Sequence, residues 1–142
     1  MAGDTVLRLG IDSKFTTKVA GSYVDFYNDL SGRMYYQGEV PYNPTYPYAV
    51  FQFIGQKPDW TMGDTSPLPM EEFLIQFSIY TDESLSAIEG YVGHLHDLYD
   101  WASLTISGYT LMKMQRVSSV PPTELDDVRQ AMTTYRLKMD KD

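Results

Sequence analysis

The strictest alternation of apolar and polar positions in the chain lies at Glu71 to Thr81, EEFLIQFSIYT. Phe73, Ile75, Phe77 and Ile79 share one parity there, and Leu74, Gln76, Ser78 and Tyr80 share the other. Successive side chains of a strand point to opposite faces, so the segment predicts a strand with one deeply apolar face. Directly behind it the period changes. Leu85, Ile88, Val92, Leu95 and Tyr99 recur at helical spacing, with Asp82 or Ser84 available as the cap. Upstream, Phe15, Val19, Ser22/Tyr23, Phe26 and Leu30 keep the same period behind the N-cap types Asp12 and Ser13. That predicts a helix of about four turns, stopped by Ser31-Gly32. Gly21 would cost it about 1 kcal/mol relative to Ala.

The remaining segments are shorter or more broken. Leu7, Leu9 and Ile11 alternate with Arg8 and Gly10, so residues 1–12 read as an extended arm or a short edge strand. Arg33 to Gln37 is a short strand candidate, and Tyr48 to Ile54 another. Between them stand Pro41, Pro44 and Pro47, each without an N–H and each biasing its predecessor toward extended backbone. This lead-in is expected to end one strand and deliver Tyr48 to the next without pairing itself. Residues 55–70 (GQKPDWTMGDTSPLPM) have no periodicity and read as a long loop. Leu104 to Ile106 and Tyr109 to Val117 suggest a hairpin about Ser107-Gly108. After a break at Val120-Pro121-Pro122, Gln130 to Met139 reads as a closing strand with Ala131, Thr133, Tyr135, Leu137 and Met139 inward. Over 124–130 a helix starting near Thr123, using Glu124, Leu125 and Val128, is the rival reading. No repeat or linker divides residues 1–142. The order predicts a single α+β domain: a largely antiparallel (mixed) sheet of about five strands covered by two helices.

Composition narrows the function classes. At 142 residues, 43% hydrophobic and 21% charged, the chain has the make-up of one globular domain. No apolar run nears the roughly 20 residues that span a bilayer, and no basic-then-apolar leader opens the sequence, so neither membrane contact nor export is expected. Cysteine is absent, which removes disulfides, thiolate catalysis and thiolate metal sites. The formal charge of −8 disfavours tight binding to phosphate backbones, which relies on Lys and Arg displacing counterions.

Candidate chemistry is thin. His94 and His96 are the only histidines. On a regular helix they point about 200° apart and cannot share one metal. Their expected partners are surface carboxylates, Asp97 for His94 and Asp100 for His96. The carboxylate pairs Glu71-Glu72, Asp82-Glu83, Asp126-Asp127 and Asp140/Asp142 fall at predicted element ends, where solvated or helix-capping roles suffice. No phosphate loop, nucleophile elbow or HExxH motif occurs. No catalytic residue, cofactor or metal ligand is therefore expected, and the chain does not read as an enzyme. Aromatics are the informative excess: twelve Tyr, two Trp and eight Met. Phe15, Phe26, Phe73 and Phe77 are expected in the core. Tyr42, Tyr46, Trp60 and Met62 fall in predicted loops, where such side chains favour protein interfaces. With their charged neighbours Lys57, Asp59 and Asp64 they are the candidate subunit or partner contacts. Lys57 alone is too little cation for base stacking.

The succession of features resembles the tail completion, or tail terminator, proteins of long-tailed bacteriophages. It is carried by "RMYY" followed by "PYNPTYPYAVFQFIG" with its Pro47-Tyr48 step, by "IQFSIYTDESLSAIEGYV" where a helix starts directly off a strand at Tyr80-Thr81-Asp82, and by the late "TTYRLKM" with Tyr135-Arg136. The resemblance covers roughly residues 13–139. It implies a virion structural protein, assembled in the host cytoplasm, that forms a six-membered ring at the head-proximal end of the tail tube. Such a ring stops tube polymerisation and presents a surface for head joining. The implied partners are other copies of the chain, with a monomer allowed in isolation, the major tail tube protein and the head-completion or connector protein. DNA would pass through without specific binding. The absence of catalytic machinery, the surplus loop aromatics and the acidic charge agree with such a part. Another neck or head-completion component, and a small ligand-binding or enzymatic α+β domain, stay open as alternatives.

Overall fold

Phe73, Ile75, Phe77 and Ile79 are sealed from solvent, and their strand is the middle of the sheet. The computed structural model describes residues 3–59 and 70–141. In chain order the elements are α1 (Gly3–Thr16), β1 (Lys18–Val19), β2 (Ser22–Tyr23), α2 (Asp25–Leu30), β3 (Met34–Tyr36), β4 (Tyr48–Asp59), β5 (Met70–Thr81), α3 (Leu85–Tyr99), β6 (Tyr109–Leu125) and β7 (Val128–Lys141). β1 and β2 make a small hairpin. The other five strands form one mixed sheet in the order β3-β4-β5-β7-β6, antiparallel throughout except where β3 runs parallel to β4. The α+β expectation holds, with three helices among the described residues where two were read.

The helices cover one face of the sheet. On that face the core joins the odd-numbered residues of β5 and β7 with Ala49 and Phe51 of β4 and Met114 of β6. Phe77 lies at its centre: its ring stacks on Tyr99 of α3 (centroids 4.8 Å) and meets Phe51 at 5.9 Å and Tyr135 edge-on at 5.8 Å. Each such side chain contributes about 1.5–3 kcal/mol on burial. The two tyrosines carry their hydroxyls inward without loss, because Tyr99 Oη donates to the Ile11 carbonyl (2.9 Å) and Tyr135 Oη to Asp100 Oδ1 (2.6 Å). Burial pushes both phenols up. Ala131, Thr133, Tyr135, Leu137 and Met139 all face the core as expected.

The first thirty residues differ most from the sequence reading. Residues 3–12 are helical, neither arm nor edge strand, because the four-residue spacing of Leu7, Ile11 and Phe15, joined by Val6, gives α1 a buried stripe. The apparent alternation breaks at Leu9, which is 52% exposed. Asp12 and Ser13 lie inside α1 and cap nothing. The long helix read over 13–30 is interrupted by the β1–β2 hairpin. Ala20 and Gly21 form its turn with φ of 53° and 83°, so the glycine taken as a helix defect is a hairpin residue. Ser31 and Gly32, with φ of 50° and 77°, end α2 as expected.

Three boundaries move further along the chain. Residues 55–59 and Met70 are paired strand, so the segment read as a loop over 55–70 is in part a long β4–β5 hairpin. Pro58 is tolerated there because β3 reaches only to Phe51, leaving this stretch of β4 paired to β5 alone among the described residues. Leu104 to Ile106 is not a strand: it contributes only the bridge Ile106↔Tyr109 about Gly108 (φ 80°). Val120-Pro121-Pro122 does not break the chain but sits in an irregularity of the edge strand β6, between Val120 and Thr123. Over 124–130 strand wins over helix, since Leu125 and Val128 pair about Asp126 and Asp127, both with positive φ (51° and 67°).

Candidate interaction surfaces

The parity that buries one face of the sheet leaves its partner set on a face that no helix covers among the described residues. Tyr48 is opposite Tyr80 in the β4–β5 register. Their rings stack at 5.1 Å, Tyr46 stacks on Tyr48 at 5.6 Å, and Tyr35 of β3 approaches Tyr48 at 6.3 Å. Four half-buried tyrosines therefore form a ladder across one end of the open face. Beside it Gln52 donates to Gln76 (2.9 Å), Gln130 donates to the Tyr80 hydroxyl (3.1 Å), and Arg136 pairs with Glu72 (3.2 Å). These contacts run sideways, strand to strand, although Arg136 Nε meets Glu72 as an ion pair without hydrogen-bond geometry. Burial, then the adjacent Tyr46 and Tyr80, raises the Tyr48 phenol above its ordinary value.

The proline-rich segment leads into this ladder as the crossover between the parallel strands β3 and β4. Arg33 fixes its end, donating from Nε to the Pro47 carbonyl (3.0 Å) and from Nη2 to that of Tyr46 (3.1 Å). The Tyr46-Pro47 peptide is cis. At the segment's start Arg8 of α1 lies over the Tyr36 ring (5.0 Å) and pairs with Glu39 (3.5 Å). Between these ties Tyr42 is 97% exposed. The two loop tyrosines singled out from sequence thus separate: Tyr42 presents its whole side chain to solvent, whereas Tyr46 is part of the stack. Lys57 and Asp59 lie in β4, opposite Glu72 and Met70. Their side chains, and Trp60, Met62 and Asp64 entirely, lie outside the described residues.

The histidines have found partners that local spacing could not name. His94 Nδ1–H donates to Asp29 of α2, and its Nε2 lies 4.0 Å from Asp25 Oδ2. The Asp29 bond raises His94 above the ordinary imidazole value, and burial offsets part of that. On the next turn Arg116 of β6 donates to His96 Nδ1, which leaves the other nitrogen, Nε2–H, to donate to Thr133 Oγ1 (3.1 Å). Burial, then Arg116, lowers His96. The expected surface pairs with Asp97 and Asp100 are not made; Asp100 instead holds Arg116 (3.4 Å) and Tyr135. A cleft of about 280 Å³ opens between α2 and α3, lined by Tyr23, Asp25, Phe26, His94, Asp97 and Leu98. Among the described residues no set of three or more His, Asp or Glu groups is placed to hold a metal ion. Among them, too, no helix is long and apolar enough to cross a membrane.

Trp101 was not foreseen. It follows α3 with φ of 54°, an unusual backbone for a bulky residue, held by its N–H donating to the Met114 carbonyl (2.9 Å), and 68% of it is exposed. Nothing in the residues around it marks that conformation. The tyrosine ladder had a partial signal, since Tyr80 shares the non-core parity of β5, but its pairing with Tyr48 depends on a register that sequence does not state.

Comparison with known proteins gives likeness of fold at low identity. No family model and no curated protein matches the chain. A chain in the solved structure described as "Virion of native gene transfer agent (GTA) particle" superposes with a TM-score of 0.68 at 15% identity, covering 98% of each chain. A second solved chain, whose name is only a sequence label, superposes with a TM-score of 0.69 at 10% identity, over 98% of this chain and 96% of that one. The shared fold runs from end to end.

Proposed function

We propose that the chain is a structural protein of a phage-type virion, and within that class a tail terminator: a ring at the head-proximal end of the tail tube that stops polymerisation and offers a surface to the head. The observation that carries the reading is the end-to-end likeness to a component of a gene transfer agent particle, 98% of both chains. At 15% identity that likeness is one of fold, and the step from fold to place in the particle rests on the sequence resemblance at Pro47-Tyr48, Tyr80-Thr81-Asp82 and Tyr135-Arg136. The surface suits such a part. A ring contact is heterologous and needs two different patches per subunit; the crossover bearing Tyr42 and the corner bearing Trp101 are two exposed aromatic patches on separate elements. The charge of −8 suits a wall that DNA passes without sticking.

The test is electron microscopy of particles assembled without this protein. Overlong tails, with or without heads, are the expected result. Tails of normal length on particles that lose only their heads would move the protein to the neck, and fully normal particles would end the structural reading.

A further inference from the structure

α2 is a six-residue helix that seats Phe26 and Leu30 in the core and turns Asp25 and Asp29 toward α3. What meets them is a single imidazole. His94 Nδ1–H bonds Asp29, whose side chain is only 17% exposed, and Nε2 stands 4.0 Å from Asp25 Oδ2, a carboxylate 79% exposed at the mouth of the cleft. A ring held this way has one nitrogen committed to a carboxylate and the second facing another. Adding a proton at Nε2 creates a cation between two anions on the opposite helix, and removing it leaves Asp25 facing a lone pair.

We propose that the charge state of His94 latches α2 to α3: the protonated ring bridges Asp29 and Asp25 and closes the cleft between the helices, and its deprotonation loosens α2 together with the β1–β2 hairpin that leads into it. The surroundings set the direction. From α2 the ring faces Asp25 and Asp29; from α3 itself it faces Asp97; from β2 Tyr23 lines the same cleft. Beyond Asp29, Glu83 adds a further negative charge and accepts from the Tyr91 hydroxyl (2.8 Å). Lys18 lies over the Tyr23 ring at 4.7 Å. The bond to Asp29, and then the negative charges of Asp29, Asp25 and Asp97, raise the ring above its ordinary imidazole value. Phe26 and Leu30 anchor α2 in the core, at 1% and 0% exposure, so the latch governs a local opening equilibrium and not global unfolding.

The experiment follows the His94 ring signals by NMR titration and, in parallel, amide hydrogen exchange of α2 by mass spectrometry, corrected for intrinsic exchange. In the wild type, α2 protection is expected to fall about three- to tenfold as the pH rises through the His94 midpoint, while α3 beyond His96 stays level. Asp29→Asn should bring the midpoint down toward the ordinary imidazole value and flatten the exchange step, and His94→Gln should abolish it. Protection of α2 that is constant across the wild-type midpoint overturns the latch without recourse to any variant. A midpoint unmoved by Asp29→Asn overturns the bridge that drives it. Neither readout depends on where the protein sits in a particle.

Discussion

β4, β5 and β7 present two faces built from the same strands, and alternate residues give them opposite characters. On the covered face Phe51, Phe77 and Tyr135 close around Tyr99 with no solvent contact. One residue along, Val50, Tyr80, Gln76, Thr134 and Arg136 are left half-exposed, and their contacts run sideways within the sheet. The first face needs a second layer to exist; the second is stable bare yet rich in aromatic area. A sheet of this kind is specified from one side only, so the other side can carry recognition without endangering the fold. The sharpest way to break the contrast is a matched pair of truncations followed by urea denaturation. Phe77→Ala should cost about 3–5 kcal/mol, because it opens a cavity at the meeting point of four rings. Tyr80→Ala should cost about 1 kcal/mol, the worth of one stacked pair and a shared hydrogen bond. Equal losses would mean that the open face is buried by self-association in solution.

That asymmetry also explains what the residues disclosed in advance. The inward sets of β5 and β7 could be read position by position, since strict two-residue alternation survives only where one face is fully dry. In α1 the same rule misleads, because Leu7, Leu9 and Ile11 alternate over a span too short to separate periods of 2 and 3.6, and Phe15, which belongs to α1, also fits the helical period of the residues after it. The hairpin at Ala20-Gly21 and the prolines of β6 mislead for a related reason: local propensity penalises them in an element interior, and only tertiary pairing reveals a turn or an edge. The parallel pairing of β3 with β4 has no local signature. On the open face, Tyr42 could be named as exposed, but Tyr46 could not be seen to stack, because the stack depends on Tyr80 more than thirty positions away.

The same division of dry and wet recurs on α3 and gives a smaller effect. His96 reaches to Thr133 on the covered side and is lowered, first by burial and then by Arg116; His94 faces the solvated cleft and is raised, first by its bond to Asp29. For His94 the contribution to stability is complete below the ordinary imidazole value of about 6.5 and is lost as the pH rises through the raised folded value. For His96 it is complete above that ordinary value and is lost as the pH falls through the lowered one. Over the imidazole range the two therefore give a stability maximum near the unperturbed value, with each limb under about 1 kcal/mol after solvent screening. Urea midpoints measured from acid to alkaline pH should show His94→Gln removing the alkaline limb and His96→Gln the acid one. The opposite assignment would mean that the ring environments have been exchanged.

The smallest expected change in stability belongs to the most exposed aromatic. Tyr42 is 97% exposed and lies between two well-tied ends of the crossover, Glu39 held by Arg8 and Tyr46-Pro47 held by Arg33. Removing its ring takes nothing from the core, so Tyr42→Ala should leave the urea midpoint within about 0.5 kcal/mol of wild type. Tyr46→Ala, by contrast, removes a ring from the ladder and should destabilise by about 1 kcal/mol. If Tyr42 serves a subunit or partner contact, as proposed, its truncation should weaken assembly about tenfold or more while the monomer stays native. Particles complemented with Tyr42→Ala would then show fewer correctly terminated tails by electron microscopy. Full complementation would relocate the contact to another patch, with Trp101 the next to truncate. Because only the assembly readout moves, this variant separates a surface kept for recognition from one kept for folding, which the open and covered faces separate only by degree.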